Sequence, residues 1–333
     1  MAAARVWLIP AVLLALAAAL PFLAPTYYIQ FTAKIMIMGI LAMALNLVVG
    51  YGGLVSLCHA AFFGLGGYVL ALATPKYDPV SFWTSLPLAV GVTAVAALII
   101  GALALRTRGI YFIMVTLAFG EMLFFLFHDT KLAGGSDGAF INYKPEIALA
   151  GQVLFDLEKP AVFYWTVLTI VVLTVALLTT LVRSPFGHAL AAARDNERRA
   201  RSLGFPIFRL RLIAFVISGA LAGIAGYLAA VQFGFVAPQM LGWHLSATIL
   251  VMVLIGGLRS VAGPLIGAFV LMGLEEVLKS STEHWKLVEG LVVMAIVLVL
   301  PNGVRHLLRA VLGDAERPPL PRAIDKAAKV NHA

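Results

Sequence analysis

The chain has 333 residues, of which 62% are hydrophobic and 12% charged, and its mean hydropathy is +0.98. Soluble domains carry about a quarter of their residues as charges, so this sequence lacks the polar surface that a water-soluble protein needs. The net charge of +8 does not indicate nucleic acid, because the basic residues lie between apolar runs rather than along one stretch. One cysteine, Cys58, excludes an internal disulfide and a Cys-rich metal site, and its apolar setting reads as a small buried thiol.

In chain order, apolar segments fall at 6–24, 29–50, 54–73, 82–105, 109–128, 160–182, 209–233, 243–258, 261–279 and 287–303. About 20 helical residues cross the hydrocarbon layer of a bilayer, so the expectation is an all-α integral membrane protein. It is a polytopic helical bundle of about ten (8–10) transmembrane segments. The first segment mimics a signal peptide, but its apolar run exceeds a usual signal core, and it is read as a retained span. Gly52, Gly53, Gly64, Gly66 and Gly67 punctuate the third segment, and Gly256, Gly257, Gly263 and Pro264 the junction of the eighth and ninth. Broken or re-entrant helices are expected there. Gly52, Gly53, Gly256, Gly257 and Gly263, with Gly219, Gly223, Gly226 and Gly267, read as helix packing or hinge positions.

Charge orients the segments. Residues 183–211 hold seven basic and two acidic residues, and those after Pro301 six and three. Residues 128–159 hold five acidic residues against three lysines, and 274–289 four against two. The positive-inside rule makes the first two regions cytoplasmic and the last two external. Ten crossings then alternate with both termini inside, and Arg106, Arg108 and Arg259 fall on the cytoplasmic side. A weak internal echo links Gly52-Gly53-Leu54-Val55-Ser56 to Gly256-Gly257-Leu258-Arg259-Ser260.

Residues 187–204 predict a short surface helix ending at Gly204 before Pro206. Leu190, Ala193, Ala200 and Leu203 recur at helical spacing, and Arg194, Arg198 and Arg201 line another face. Asp195 with Arg199, and Glu197 with Arg201, are i,i+4 pairs. Such a helix suits a groove on a cytoplasmic partner. A solvated loop that merely obeys the charge rule explains the pattern equally well.

Within the spans, Asn46, Ser56, His59, Thr116 and Glu121 are candidates to line a pathway. Each has a plainer reading. His59, without a second ligand at metal spacing, reads as hydrogen-bonded packing. Glu121 reads as a structural pair rather than a substrate contact. Asn46, Ser56 and Thr116 can equally bond to helix backbones. No metal site, paired carboxylates or Ser-His-Asp set is visible.

The segment from Ser184 to Leu228, SPFGHALAAARDNERRARSLGFPIFRLRLIAFVISGALAGIAGYL, resembles the coupling-loop region of branched-chain amino acid ABC transporter permeases, in the longer of their two paired subunits. Other landmarks follow in order: NLVVGYGGLVSLCHAAFFGLGGY (46–68), RGIYFIMVTLAFGE (108–121), LAGGSDG (132–138), IGGLRSVAGPLIGA (255–268) and PNG (301–303). The resemblance runs from about 35 to 310. It implies a single permease domain over 1–312, with a cytoplasmic coupling loop at 183–208, and a disordered cytoplasmic tail over 313–333. It also implies that Leu190, Ala193, Arg194, Asp195, Asn196, Glu197, Arg198, Ala200, Leu203 and Gly204 engage an ATPase. Ala200 and Gly204 fit the general importer pattern there, whereas Arg198 and Arg199 replace its Glu and first Ala. Arg259 stands where small residues are common, and Ala133 where Thr is frequent.

The implied partners are a homologous second permease, two ABC ATPase subunits, a periplasmic or extracellular solute-binding protein and the lipid bilayer of the bacterial inner membrane. ATP and Mg would sit on the ATPases, since no G-x-x-x-x-G-K-[ST] phosphate loop occurs here. LAGGS at 132–136 mimics an ATPase signature but lies on the external side. Related permeases carry urea, short amides or aromatic acids. The rival class is an ion-coupled secondary transporter, which needs midplane acids, and Glu121 is the one candidate.

Overall fold

The computed structural model describes residues 17–22, 24–75, 79–149 and 152–299. Most of the first apolar segment, the PNG motif and the tail lie outside them. The other nine segments form helices. They are α1 (Thr26–Asn46, continued by a π turn Leu47–Tyr51), α2 (His59–Ala73), α3 (Phe82–Ala104), α4 (Ile110–Asp129) and α5 (Pro160–Arg183). After two short helices, α6 (Pro185–Asp195) and α7 (Glu197–Ser202), come α8 (Ile207–Phe233), α9 (Trp243–Gly256), α10 (Gly263–Ser281) and α11 (Trp285–Val299). Among the described residues, five helices are long and apolar enough to cross a membrane: α1 with its π turn, α3, α4, α5 and α8.

The bundle is built around α1 and α8. Of the most apolar stretch of α1, 89% is buried, against 22% in α4 and 28% in α3. The outer faces of α3 and α4 carry exposed Val95, Ile99, Met114 and Met122, as helices bordering lipid do. Small residues let the central helices meet at backbone distance. Gly66 packs on the Gly223 carbonyl, and Gly226 on that of Phe63, so neither site has room for a side chain.

The helix ends sort into two sets. At one end Arg108, Arg194, Arg211 and Arg259 gather around α6 and α7. At the other, β1 (Ala139–Phe140) pairs with β4 (Phe235–Val236), and a hairpin joins β2 (Ile147–Leu149) to β3 (Gln152–Phe155). These small strands are an addition to the all-helical expectation. The described part of the acidic loop between α4 and α5 therefore lies opposite the arginine-rich end.

Two segments break inside the bundle. After the π turn, residues 52–58 run without helix, and Leu57 N–H donates to Thr116 Oγ1 at 3.3 Å. Cys58 lies against Gly120, ten residues into α4, or about 15 Å from its charged-end start. Thus α2 begins near mid-bundle, and the predicted helix over 54–73 is shorter by its first turn. From the opposite end, the chain after α8 turns back through β4 and a 3₁₀ turn (Pro238–Leu241) before α9 begins.

Candidate functional site

The midplane break gathers neutral polar groups. His59 is fully buried, with Nδ1 3.1 Å from Ser56 Oγ and Nε2 2.7 Å from Ser218 Oγ. Ser218 gives its one hydroxyl proton to the Ala44 carbonyl, which obliges His59 Nε2 to donate to Ser218 Oγ. The neutral form of the ring is then the Nε2–H tautomer, and it is wedged edge-on against Phe62 and Phe215. Thr116 also donates to the Ile113 carbonyl. Ser56, His59 and Thr116 therefore come together at the break, as a packed network.

The first turns of α2 and α9 meet there. Ala60 N–H donates to Ser246 Oγ at 3.0 Å, and Trp243 N–H, at the start of α9, donates to Glu121 Oε1 at 3.3 Å. A carboxylate at a helix N-terminus is stabilised by the helix dipole and meets an otherwise unused donor. Glu121 is thus in a structural pair. Asn46 lies apart from this cluster, toward the charged end, where its Nδ2 donates to the Ser260 carbonyl at 2.7 Å. Among the described residues no cluster of His, Cys, Asp or Glu could hold a metal ion. Ser218 and Ser246 are partners that helical spacing alone did not mark, since each lies in a run of small or apolar residues.

The charged end departs from the expected single helix over 187–204. Asn196 adopts an extended conformation and caps α7, accepting from Arg199 N–H at 3.0 Å, so the segment divides into α6 and α7. Asparagine competes for backbone donors in this way and favours caps over helix interiors. Ser184 caps α6, with Pro185 in its first turn. Gly204, at φ +84°, closes α7: its N–H bonds to the Arg201 carbonyl while that of Phe205 reaches Ala200. This is the paired bonding of a Schellman end.

The break redirects side chains. Asp195 pairs with Arg259 at 2.8 Å rather than with Arg199, while Glu197 and Arg201 form their i,i+4 pair at 2.9 Å. Glu197 also meets Arg211 at 3.0 Å and Arg108 at 3.2 Å, which ties α7 to α8 and to the loop before α4. Burial alone would raise its pKa. Arg211, with Arg108 and Arg201, more than offsets this and holds the carboxyl below the ordinary range. Arg194 turns inward to the Gly50 carbonyl instead of sharing a face with Arg198 and Arg201. Ala193 and Ala200 pack with Ile207, and Leu190 is buried in the main core. Leu203, expected in that apolar stripe, is 70% exposed because the kink at Asn196 rotates α7. Arg198, Arg199 and Leu203 therefore form the outward surface of the loop.

A described family, the permease component of branched-chain amino acid transport systems, matches residues 27–298. The chain belongs to that family. It is 34% identical to the high-affinity branched-chain amino acid transport system permease protein LivM of Salmonella typhimurium, over 89% of this chain and 74% of the relative. With LivM of Escherichia coli the identity is 33% over the same shares. The probable branched-chain amino acid transport permease LivH of Methanocaldococcus jannaschii is 24% identical, over 80% of this chain and 87% of the relative. Its likeness to the two LivM proteins puts this multi-pass membrane protein with the longer, M-type permeases. No solved structure matches it significantly.

Proposed function

We propose that this permease is one half of the pore of an ATP-driven importer for branched-chain amino acids. The transport system named for its family and for its LivM relatives supports that substrate class. The observation that carries the energy source is the α6–α7 pair. It is a built, capped projection that presents Arg198, Arg199 and Leu203 outward and is fastened to the spans on its inner side. An exposed apolar side chain flanked by guanidinium groups suits insertion into a groove on an ATPase.

In this reading two ATPase subunits hold the ATP and magnesium, because this sequence carries no phosphate loop. A homologous permease supplies the other half of the pore, and an external solute-binding protein delivers the substrate. The arginine-rich end faces the cytoplasm of the bacterial cell, with both termini on that side. Mechanically, closure of the ATPases displaces α6–α7, and the spans open alternately to either face. Substrate selection can reside in the binding protein, which fits a bundle whose buried His59, Ser56 and Ser218 bond to one another.

The test is purification of the tagged chain in mild detergent, mass spectrometry of its partners, and ATP-dependent leucine uptake by proteoliposomes. Recovery of two ATPases and a second permease, with uptake that needs ATP, is the expected result. Arg198→Glu should lower ATPase recovery by about tenfold, the order of one lost interfacial charge contact. Solute movement by the chain alone without ATP would overturn the reading. Competition by urea, amides and aromatic acids distinguishes the related substrates.

A further inference from the structure

The two glycine turns at the charged end share a local design. In each, the second glycine has a positive φ, +69° at Gly53 and +95° at Gly257. Three residues later comes a serine, Ser56 or Ser260, and three residues after that the next helix begins, at His59 or Gly263. Ser260 Oγ accepts from Gly263 N–H at 2.8 Å, and Ser56 bonds to the His59 ring. The turns also touch each other. Asn46 bonds to the Ser260 carbonyl, and Tyr51 donates to that of Arg259 at 3.1 Å.

Two consecutive residues of α6 reach one turn each. Arg194 donates to the Gly50 carbonyl and lays its side chain over Gly53, where a methyl group would come within 2.7 Å of Cγ. Asp195 pairs with Arg259 on the other turn. Adjacent helix positions point about 100° apart, which lets one helix end grip two neighbours.

We propose that Arg194 and Asp195 are positioning residues that make the two glycine turns move as one body with α6. A displacement of the α6–α7 loop then reaches the inner ends of α1 and α9 together. From α1 it passes along the non-helical segment 52–58 to the His59 network. Arg259 is the anchor that the second turn supplies. The proposal rests on the importer reading for the origin of the displacement, not for the grip itself.

The experiment uses the complete transporter in proteoliposomes and scores solute moved per ATP hydrolysed. Arg194→Ala and Asp195→Arg should retain the ATPases and hydrolyse ATP, yet move about tenfold less solute per ATP, within the usual span of coupling energies. Combining Asp195→Arg with Arg259→Asp should restore most of the ratio while the unfolding temperature of all three variants stays near that of the parent, which separates a role in coupling from a merely structural one. Unchanged ratios, failure of the exchange to rescue, or loss of the ATPases with Arg194→Ala would overturn the proposal. The last result would make Arg194 a docking contact.

A crosslink judges the grip even if the chain proves not to be an importer. Asp195→Cys with Arg259→Cys, joined in membranes by a short bifunctional thiol reagent, should react readily, because the two side chains meet and are exposed, and the buried native Cys58 does not compete. The crosslinked chain should transport as before. No crosslinking, or crosslinking that blocks transport, would refute a grip that persists through the cycle.

Discussion

The polar groups at the middle of the bundle and those at its charged end solve opposite problems. At the middle, His59, Ser56, Ser218 and Ser246 are fully buried and neutral, and bond over short distances to one another or to backbone. At the charged end, Arg194, Asp195 and Glu197 are partly or largely exposed and reach residues far apart in sequence. Buried hydroxyls and imidazole fix a geometry, because losing a partner leaves an unsatisfied group where water cannot help. Exposed ion pairs add little stability, so they can join two segments without fixing the fold. The middle thus holds a shape, the end carries the contacts through which the proposed movement would pass, and the two can be perturbed separately.

The largest effect should follow removal of the imidazole. His59→Ala leaves Ser56 and Ser218 each short of a partner and opens a void against Phe62 and Phe215. A loss of about 3 kcal/mol is expected, combining cavity and unsatisfied-group costs. Thermal unfolding of the detergent-solubilised protein, followed by tryptophan fluorescence, measures it. A change below about 1 kcal/mol would mean that the network does not fix the break, since one lost hydrogen bond alone costs that much.

A smaller effect, and one that depends on pH, belongs to Glu197. Its folded pKa lies below the ordinary value of 4.5, so its pairing stabilises the fold above that value and is lost as pH falls through the folded pKa. Stability should therefore be level from neutrality down to about pH 5 and decline below it. Glu197→Gln should reduce the decline and cost about 1 kcal/mol at neutral pH, a modest figure because the cluster is partly solvated. Unfolding curves at several pH values compare the two proteins. An identical acid limb in both would remove Glu197 from the account.

Much of this contrast was legible in the sequence. The apolar run 82–105 became Phe82–Ala104, and 160–182 became Pro160–Arg183, because uninterrupted apolar stretches of that length have one stable form in a bilayer. The glycines at 52–53 and 256–257 marked both turns. The grip on them was not visible, since Asp195 has Arg199 at ideal helical spacing and only the kink at Asn196 sends it to Arg259. Local periodicity cannot foresee a partner 64 residues away. The return through Pro238–Leu241 was hidden likewise, because a helix that starts midway and one that crosses fully share the same apolar composition.

Glu121 should give the smallest effect and the sharpest decision between mechanisms. It is the acid that an ion-coupled transporter would need, eleven residues into α4 and about 16 Å from its start. Its observed task is to accept the N–H at the head of α9. Glutamine keeps an acceptor oxygen for the head of α9, so Glu121→Gln should change stability by only about 0.5 kcal/mol. Transport should stay within about twofold of the parent, as expected when a substitution changes stability by so little. Glu121→Ala removes the acceptor as well and should cost about 1 kcal/mol, the usual penalty for a lost cap. The informative measurement is uptake against pH with each variant. A proton-coupling carboxylate would abolish the pH dependence along with transport when replaced by glutamine, whereas a cap would leave the profile unchanged and merely lower the unfolding temperature. If glutamine stopped uptake while the protein stayed folded, the carboxyl group at this position would be part of the transport cycle, and the middle of the bundle could no longer be regarded as scaffolding alone.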